Sequence, residues 1–402
     1  MGPLSHVKVL DLSRILAGPW AGQLLGDYGA EVVKIERPSS GDDTRGWGPP
    51  WASDAEGADA AYFLCANRNK RSVTVDITQA EGQAIIRALA RDSDVLLENF
   101  KVGGLAAYGL DYASLRGENP RLIYCSITGF GQTGPYAKRA GYDFLVQGMG
   151  GLMSITGRRE DEPGAGPQKV GVALTDVLTG LYATTAILAA LAHRERTGEG
   201  QYIDVSLLDV QVASLANQAQ NYLATGESPV RMGNAHPSIV PYQDFPTADG
   251  SMIVAVGNDG QFGRLSAVAG HAEWALDARF RSNRDRVAHR QDFIDAFEPV
   301  ARTRTTAEWI AALEGAGVPC GPINALAEVF ADPQVQARGM RIGMDRGGTE
   351  VALVANPVRL SATPTSYRSS PPMLGADTRA VLMERLGMSA AEVDGLVERG
   401  LV

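Results

Sequence analysis

The chain has 402 residues, of which 45% are hydrophobic and 21% charged, and its formal net charge is −9. This length describes two or three domains, or one large core with an insertion, and the balance is ordinary for a soluble globular protein. The negative charge argues against a nucleic-acid binder, which needs basic surface to neutralise phosphates, while leaving room for a local basic pocket that holds a small anion.

Strand and helix patterns alternate over the first 130 residues. Val7–Leu12 (VKVLDL) is an apolar run suited to a buried parallel strand, and Gly18–Gly29 reads as a helix with Pro19 in its first turn. Ala30–Pro38 is a second strand, and Arg71–Ile77, Ser93–Phe100 and Pro120–Ile127 supply three more. Glu81–Ser93 is an amphipathic helix between two of them. This βαβ series predicts an open, mostly parallel sheet. A long helix is expected from Asp176 to His193, rich in Ala, Leu and Ile and stopped by the glycines of ERTGEG. Gln201–Asp209 then reads as a strand and Val210–Gly226 as a helix.

The texture changes near Ser228, where prolines and glycines precede a hairpin-like stretch, Phe245–Val256 (FPTADGSMIVAV). Phe293–Gly317 reads as helical. The expected division is a large α/β domain over residues 1–225, completed by 330–402, and a small α+β domain over 226–329. Ser361–Val402 reads as a Pro-rich connector followed by one or two short helices.

Cys65, Cys125 and Cys320 are far apart with no C-x-x-C, which predicts reduced, buried thiols in a cytoplasmic protein. The N-terminal MGPLSHVKVLDLS reads as neither a signal nor a transit peptide. The most apolar run, Leu178–Leu191, reads as too short for a membrane span.

Ser126–Phe144 (SITGFGQTGPYAKRAGYDF) contains G-x-G-x-x-G at Gly129, Gly131 and Gly134, directly after a strand. A dinucleotide fingerprint should open a helix and be followed, about 20 residues on, by an acidic residue ending the next strand. Here Gly141, Gly148, Gly150 and Gly151 interrupt any helix, no such acidic residue follows, and the match sits after the fifth strand rather than the first. An NAD-dependent oxidoreductase is therefore a remote reading. The chain has no P-loop, no H-E-x-x-H and no G-x-S-x-G, and its five histidines are scattered, so no metal site is expected. The runs Asn67–Ser72 and Arg279–Arg286 read as solvated basic faces, the first also able to serve an anionic ligand.

One carboxylate stands out. Asp176, in GVALTDVLTGLYA, falls at a helix start. It can be an N-cap, its side chain accepting a backbone N–H. It can equally be an ionised nucleophile favoured by the helix dipole.

The chain resembles the type III CoA-transferases, the CaiB/BaiF family, over nearly its whole length. The likeness runs through VLDLSRILAGPWAGQLLGDYGAEVVKIERP, NRNKRSVTVDI, DVLLENF, YCSITGFGQTGPYAKRAGYDF, GVALTDVLTGLYA, RTGEGQYIDVSLLD, GVPCGPIN and PPMLGADTRAVLMERLG. It implies a Rossmann-like large domain, a smaller inserted domain, and two identical subunits interlocked like links of a chain. It implies that Asp176 attacks an acyl-CoA thioester, forms an acyl anhydride and then an aspartyl-CoA thioester, and passes CoA to an acceptor carboxylate without ATP. Coenzyme A and its thioesters are then substrates, and no tightly bound cofactor, membrane or nucleic acid is implied. By the same resemblance Ile15, Leu16 and Ala17 line the pantetheine path, Arg37, Val75 and Thr78 lie at the adenosine end, and Asn99, Phe100, Lys101, Arg139, Tyr142 and Asp143 complete the cleft. Glycines of 129–134 or 148–151 are expected near the developing oxyanion.

Two departures narrow the substrate. Formyl-CoA transferases of the family have Gln at the position of Leu16 and Arg at that of Ala107, which argues against an oxalate-type substrate and gives Lys101 part of the basic role. Racemases of the same superfamily carry His where this chain has Tyr142. A phenol, with a pKa of about 10, is a poor base near neutrality, so the substitution favours transfer over racemisation. The motifs are most similar to the succinyl-CoA:glutarate branch, which implies a dicarboxylate acceptor such as glutarate or itaconate. Arg139 and His236 are the candidates for holding its second carboxylate, and Gln132 is a further candidate substrate contact.

Overall fold

A computed structural model describes residues 1–53 and 57–402. The chain divides into two compact units, one of residues 1–153, 169–227 and 334–402, the other of 154–168 and 228–333. The second unit thus takes in 154–168, a segment the sequence reading placed in the large domain.

The first unit is built on six parallel strands: β1 (Lys8–Asp11), β2 (Glu31–Glu36), β3 (Lys70–Thr74), β4 (Val95–Glu98), β5 (Ile123–Thr128) and β6 (Tyr202–Ser206). Their spatial order is β3-β2-β1-β4-β5-β6. The chain winds outward from β1 in one direction and from β4 in the other, so β1 and β4 flank the switch point of a doubly wound sheet. Successive residues feed opposite faces. Val9, Val32, Val95, Leu97, Ile123 and Cys125 pack with Ala21, Leu25, Ala183 and Ile187 on one side. Leu10, Val33, Leu96 and Tyr124 pack with Ile85, Ile86 and Leu89 on the other, where the C-terminal residues Val381, Leu382, Val393 and Leu396 join them. Burial on both faces explains the lack of polar alternation in β1 (KVLD), β4 (VLLE) and β5 (IYCSIT), whereas β2 and β3 carry the buried Lys34 and Lys70.

A 24-residue helix, Leu174–Thr197, lies against the helix Ala17–Asp27. Gly180 permits the close crossing: a Cβ there would stand 2.7 Å from the Ala17 carbonyl oxygen. The long helix ends at Gly198 in the left-handed conformation, as its sequence predicts. It starts two residues before the predicted Asp176 and continues four past His193. At this length it is apolar enough, by composition, to cross a membrane, which corrects the reading of Leu178–Leu191 as too short; 44% of its most apolar window is buried within the protein.

Two further boundaries differ from expectation. The predicted strand 201–209 stops at Ser206, because Ser206 Oγ accepts the Asp209 N–H at 3.1 Å and opens the helix Leu207–Ser214. The helix predicted over 210–226 is broken at Ala216, whose φ is +43°, and resumes over Ala216–Thr225. The three cysteines are free, but only Cys125 is buried; Cys65 is exposed and Cys320 half-buried, so the expectation of three buried thiols is corrected.

The second unit contains β7 (Tyr242–Pro246) and β8 (Ser251–Ala255), which form the predicted hairpin, and β9 (Cys320–Pro322), which pairs with β8. Phe262, Phe293, Phe297 and Trp309 fill its core. The helical stretch 293–317 is two helices, since Thr305 and Glu308 form a capping box that starts the second. In the first unit a two-stranded ribbon, β10 (Arg341–Arg346) and β11 (Thr349–Val354), turns through Gly347 and Gly348, both left-handed.

Candidate active site

A cavity of about 490 Å³ opens at the carboxyl ends of β1, β4 and β5. In a doubly wound sheet the crevice beside the switch point is where ligands bind, because the loops diverge there and leave it open. The Ile15–Ala17 loop supplies one wall and Asn99–Val102 the next. Gly129, Arg139 and Tyr142 add a third, and Asp176 also faces the space.

Asp176 is the third residue of the long helix and is not its cap. The flanking residue, Ala173, has no side chain that can cap. Instead Asp143 Oδ2 accepts the backbone N–H groups of Thr175 at 2.8 Å and Asp176 at 3.3 Å. Gln147 Nε2 holds the other Asp143 oxygen at 2.7 Å, and Gln147 Oε1 accepts the Val170 N–H at 2.9 Å. Thr175 Oγ1 donates to Gln211 Oε1 at 2.6 Å. The helix start is therefore pinned from two sides by other segments, which leaves the Asp176 side chain free of capping duty. Burial, and then the neighbouring Asp143 carboxylate, push the Asp176 carboxyl up to about 7. Desolvation and a like charge disfavour the anion, which makes it more basic and more nucleophilic than a surface aspartate.

The glycines of the 129–134 loop have local tasks. A Cβ on Gly129 would stand 2.6 Å from Gly141 Cα, and one on Gly141 would stand 2.5 Å from Gly129 Cα. The loop after β5 and the Arg139–Tyr142 segment thus touch backbone to backbone at the cavity wall. Gly131 and Gly134 take φ of +87° and +88°, which glycine adopts without steric cost. No helix opens at this loop; the next begins at Asp143. Of the second glycine group, Gly150 packs against Gln211, where a Cβ would lie 2.5 Å from Gln211 Cγ, and none lines the cavity.

Cationic groups ring the opening despite the chain's negative balance. Asp43 accepts Arg14 Nη1 at 3.0 Å and Arg37 Nη2 at 2.6 Å, and so ties Arg37 to the rim. Lys101 and Arg139 also border the space. The Arg139 guanidinium lies 4.6 Å from the Tyr136 ring and 5.2 Å from that of Phe130, a cation–π seat that orients it. Such a rim suits phosphate and carboxylate oxygens through charge-assisted hydrogen bonds.

Most of the residues named from the sequence meet here: Ile15, Leu16, Ala17, Asn99, Phe100, Lys101, Arg139, Tyr142 and Asp176 line one cavity. Asp143 acts from behind, through the helix start. Four lie elsewhere. Val75 is buried in the core on one face of the sheet, and Thr78 is bonded to Asp76 Oδ1 through its N–H and hydroxyl. Gln132 lines a neighbouring cavity of about 420 Å³ with Glu98, Tyr124 and Tyr202, and its Nε2 donates to Ser126 Oγ at 2.9 Å. His236 belongs to the second unit, where its Nδ1 accepts the Ser238 N–H. Burial and then Arg290 hold its pKa below the usual histidine value, so it is neutral at pH 7. Arg14, Asp43 and Trp47 line the cavity without having been singled out. Arg14 directly precedes the Ile15–Ala17 run, which was the available signal for it.

Comparisons with known proteins show the family of the chain. The model of CoA-transferase family III matches residues 4–378. The chain is similar to a succinate–glutarate CoA-transferase of Agrobacterium fabrum, at 53% identity over 385 residues covering 95% of each chain. It is also similar to the succinyl-CoA:glutarate CoA-transferase of Homo sapiens, at 43% identity over 401 residues covering 100% of this chain and 90% of the relative. Among solved structures, a CaiB/BaiF family protein from Brucella suis superposes with a TM-score of 0.84 at 52% identity, covering 96% of this chain and 99% of that one.

Proposed function

The chain belongs to CoA-transferase family III, and we propose that it moves CoA from succinyl-CoA to a free dicarboxylate of the glutarate type, with Asp176 as the nucleophile. The observation that carries this reading is a half-buried carboxyl raised to about 7, held at a helix start by another residue's cap and facing the switch-point cavity. The Asp176 carboxylate attacks the thioester carbonyl, and the C–S bond breaks to give a succinyl–aspartyl anhydride and CoA thiolate. The thiolate attacks the aspartyl carbonyl, releasing succinate and leaving an aspartyl-CoA thioester. The acceptor carboxylate attacks that carbonyl, and the returning thiolate takes the acceptor's acyl group from the new anhydride. Each step exchanges one activated acyl bond for another, so no ATP is consumed and Asp176 is regenerated.

A dicarboxylate needs a partner for its far carboxylate. Arg139 is the better candidate, since it borders the cavity with Asp176 and its charge is fixed. His236 is neutral at pH 7 and so has no charge to pair with a carboxylate. Arg139→Ala is expected to raise the acceptor KM about 10–100-fold, the cost of a lost charge-assisted hydrogen bond, with the KM for succinyl-CoA changed far less. Steady-state kinetics with glutarate as the varied substrate reads this, and an unchanged acceptor KM removes Arg139 from the role.

The reading includes a homodimer. Leu181, Tyr182 and Leu188 on the long helix, and Tyr222 and Leu223 beyond it, are exposed apolar side chains that a partner subunit would cover. Light scattering should give twice the chain's 42.6 kDa; a monomer at micromolar concentration contradicts it. The direct test of the activity is incubation with succinyl-CoA and a panel of free acids without ATP. A new diacid CoA thioester is expected, and its absence with every diacid sinks the dicarboxylate assignment.

A further inference from the structure

Ile15 lines the cavity with a φ of +72°. A β-branched residue enters this left-handed region only when its surroundings compel it, and such strain gathers at ligand sites. The compelling contacts are identifiable. Asp42 accepts the Ile15 N–H with its two carboxylate oxygens, at 3.2 and 3.3 Å. On one side of Ile15, Arg14 N donates to Asn99 Oδ1 at 2.9 Å while Asn99 Nδ2 donates to the Arg14 carbonyl at 2.7 Å. Before that, the Ser13 carbonyl accepts Lys34 Nζ at 2.8 Å, and the same ammonium pairs with Asp42 at 2.8 Å. Both side chains of that pair are fully buried. Thr44 donates both its N–H and its hydroxyl to Asp42 Oδ1, at 3.0 and 2.8 Å, so the carboxylate cannot swing away. Burial alone would raise the Asp42 carboxyl; Lys34 and the donated hydrogen bonds overcome this and hold it at about 2, so it is charged throughout the working range.

We propose that Asp42, braced by the buried Lys34, is a positioning residue for acyl-CoA: it locks Ile15 left-handed and thereby sets the Ile15–Ala17 wall of the cavity against which the thioester lies. The inference rests on the transferase reading and adds a residue that touches no substrate. Its test uses the full chain and CoA itself as the probe. Asp42→Asn is expected to raise the Kd for CoA, and the KM for succinyl-CoA, about 10-fold, with a smaller change in kcat, because the defect lies in binding. If Asp42→Asn leaves the Kd unchanged, the proposal is wrong.

Breaking a buried ion pair can prevent folding, so two variants at Ile15 leave the pair whole. Ile15→Pro excludes the left-handed conformation and deletes the N–H that Asp42 holds, and it should weaken CoA binding about as much as Asp42→Asn; retained affinity overturns the proposal. Ile15→Gly should melt a few degrees above Ile15→Ala, the reverse of the order at an unstrained site. Ile15→Ala melting at or above Ile15→Gly overturns the strain on which the proposal depends. Wild-type protein that binds no CoA would instead overturn the transferase reading, and this proposal with it. Failure of the proposal alone is recognised by wild type and Asp42→Asn binding CoA equally.

Discussion

Asp176→Ala is expected to lower CoA transfer by about 10⁴-fold or more, because removing a covalent nucleophile removes the pathway rather than one contact. The variant should still bind CoA, since the cavity walls and the cationic rim are contributed by other residues. Near-normal Kd with lost turnover is therefore the expected signature. Asp176→Asn should lose turnover equally and reveal the cost of the buried anion. The carboxyl is raised from 3.8 to about 7 in the folded chain, so the native state binds the proton more tightly than the unfolded one. Ionised Asp176 then destabilises the fold: the penalty is absent below about pH 4, grows as pH rises, and is complete above about 7. Asp176→Asn should accordingly melt about 2–4 °C higher than wild type at pH 8 and at the same temperature at pH 4. Equal melting temperatures at both pH values would show that Asp176 is solvated like a surface carboxylate.

Asp143→Ala is expected to lower kcat about 10²-fold, as a misplaced nucleophile does, without direct contact between Asp143 and substrate. It removes the acceptor for two N–H groups at the start of the helix that carries Asp176 and frees Gln147 from its partner. A structural defect alone could lower the rate, so the pH profile decides. In wild type, kcat/KM for succinyl-CoA should fall as pH drops below about 7, as Asp176 takes up its proton. Asp143→Asn keeps an oxygen to cap the helix but deletes the negative charge, so the acidic limb should move to lower pH. It should remain above the ordinary carboxylate range, because burial is the larger cause of the shift. An acidic limb that stays in place would remove Asp143 from the electrostatics of the site.

What the sequence discloses is uneven for physical reasons. Much of the sheet is legible because a doubly wound sheet buries both faces, and each of β1 to β5 overlaps a predicted strand. The hairpin at Phe245–Val256 is local chemistry and equally legible. The end of β6 is misread because LLD is apolar enough for either element, and the deciding contact is the Ser206 cap. Asp176 was drawn out by its place at a helix start together with the family resemblance. The pattern alone could not separate nucleophile from N-cap, because the group that does the capping, Asp143, lies 33 residues away. Asp42 was invisible for the same reason, since its partner Ile15 lies 27 residues upstream. Contacts of that range depend on the sheet being assembled, and no local pattern reports them.

The central claim is that Asp176 carries the acyl group covalently. Incubating the protein with succinyl-CoA and hydroxylamine, then mapping the peptides by mass spectrometry, tests it most directly. Hydroxylamine attacks an aspartyl anhydride or aspartyl thioester and converts the side chain to a hydroxamate. A hydroxamate at Asp176 that requires succinyl-CoA is the predicted result. Continued CoA transfer with an unmodified Asp176, or with the label on another carboxylate, contradicts it.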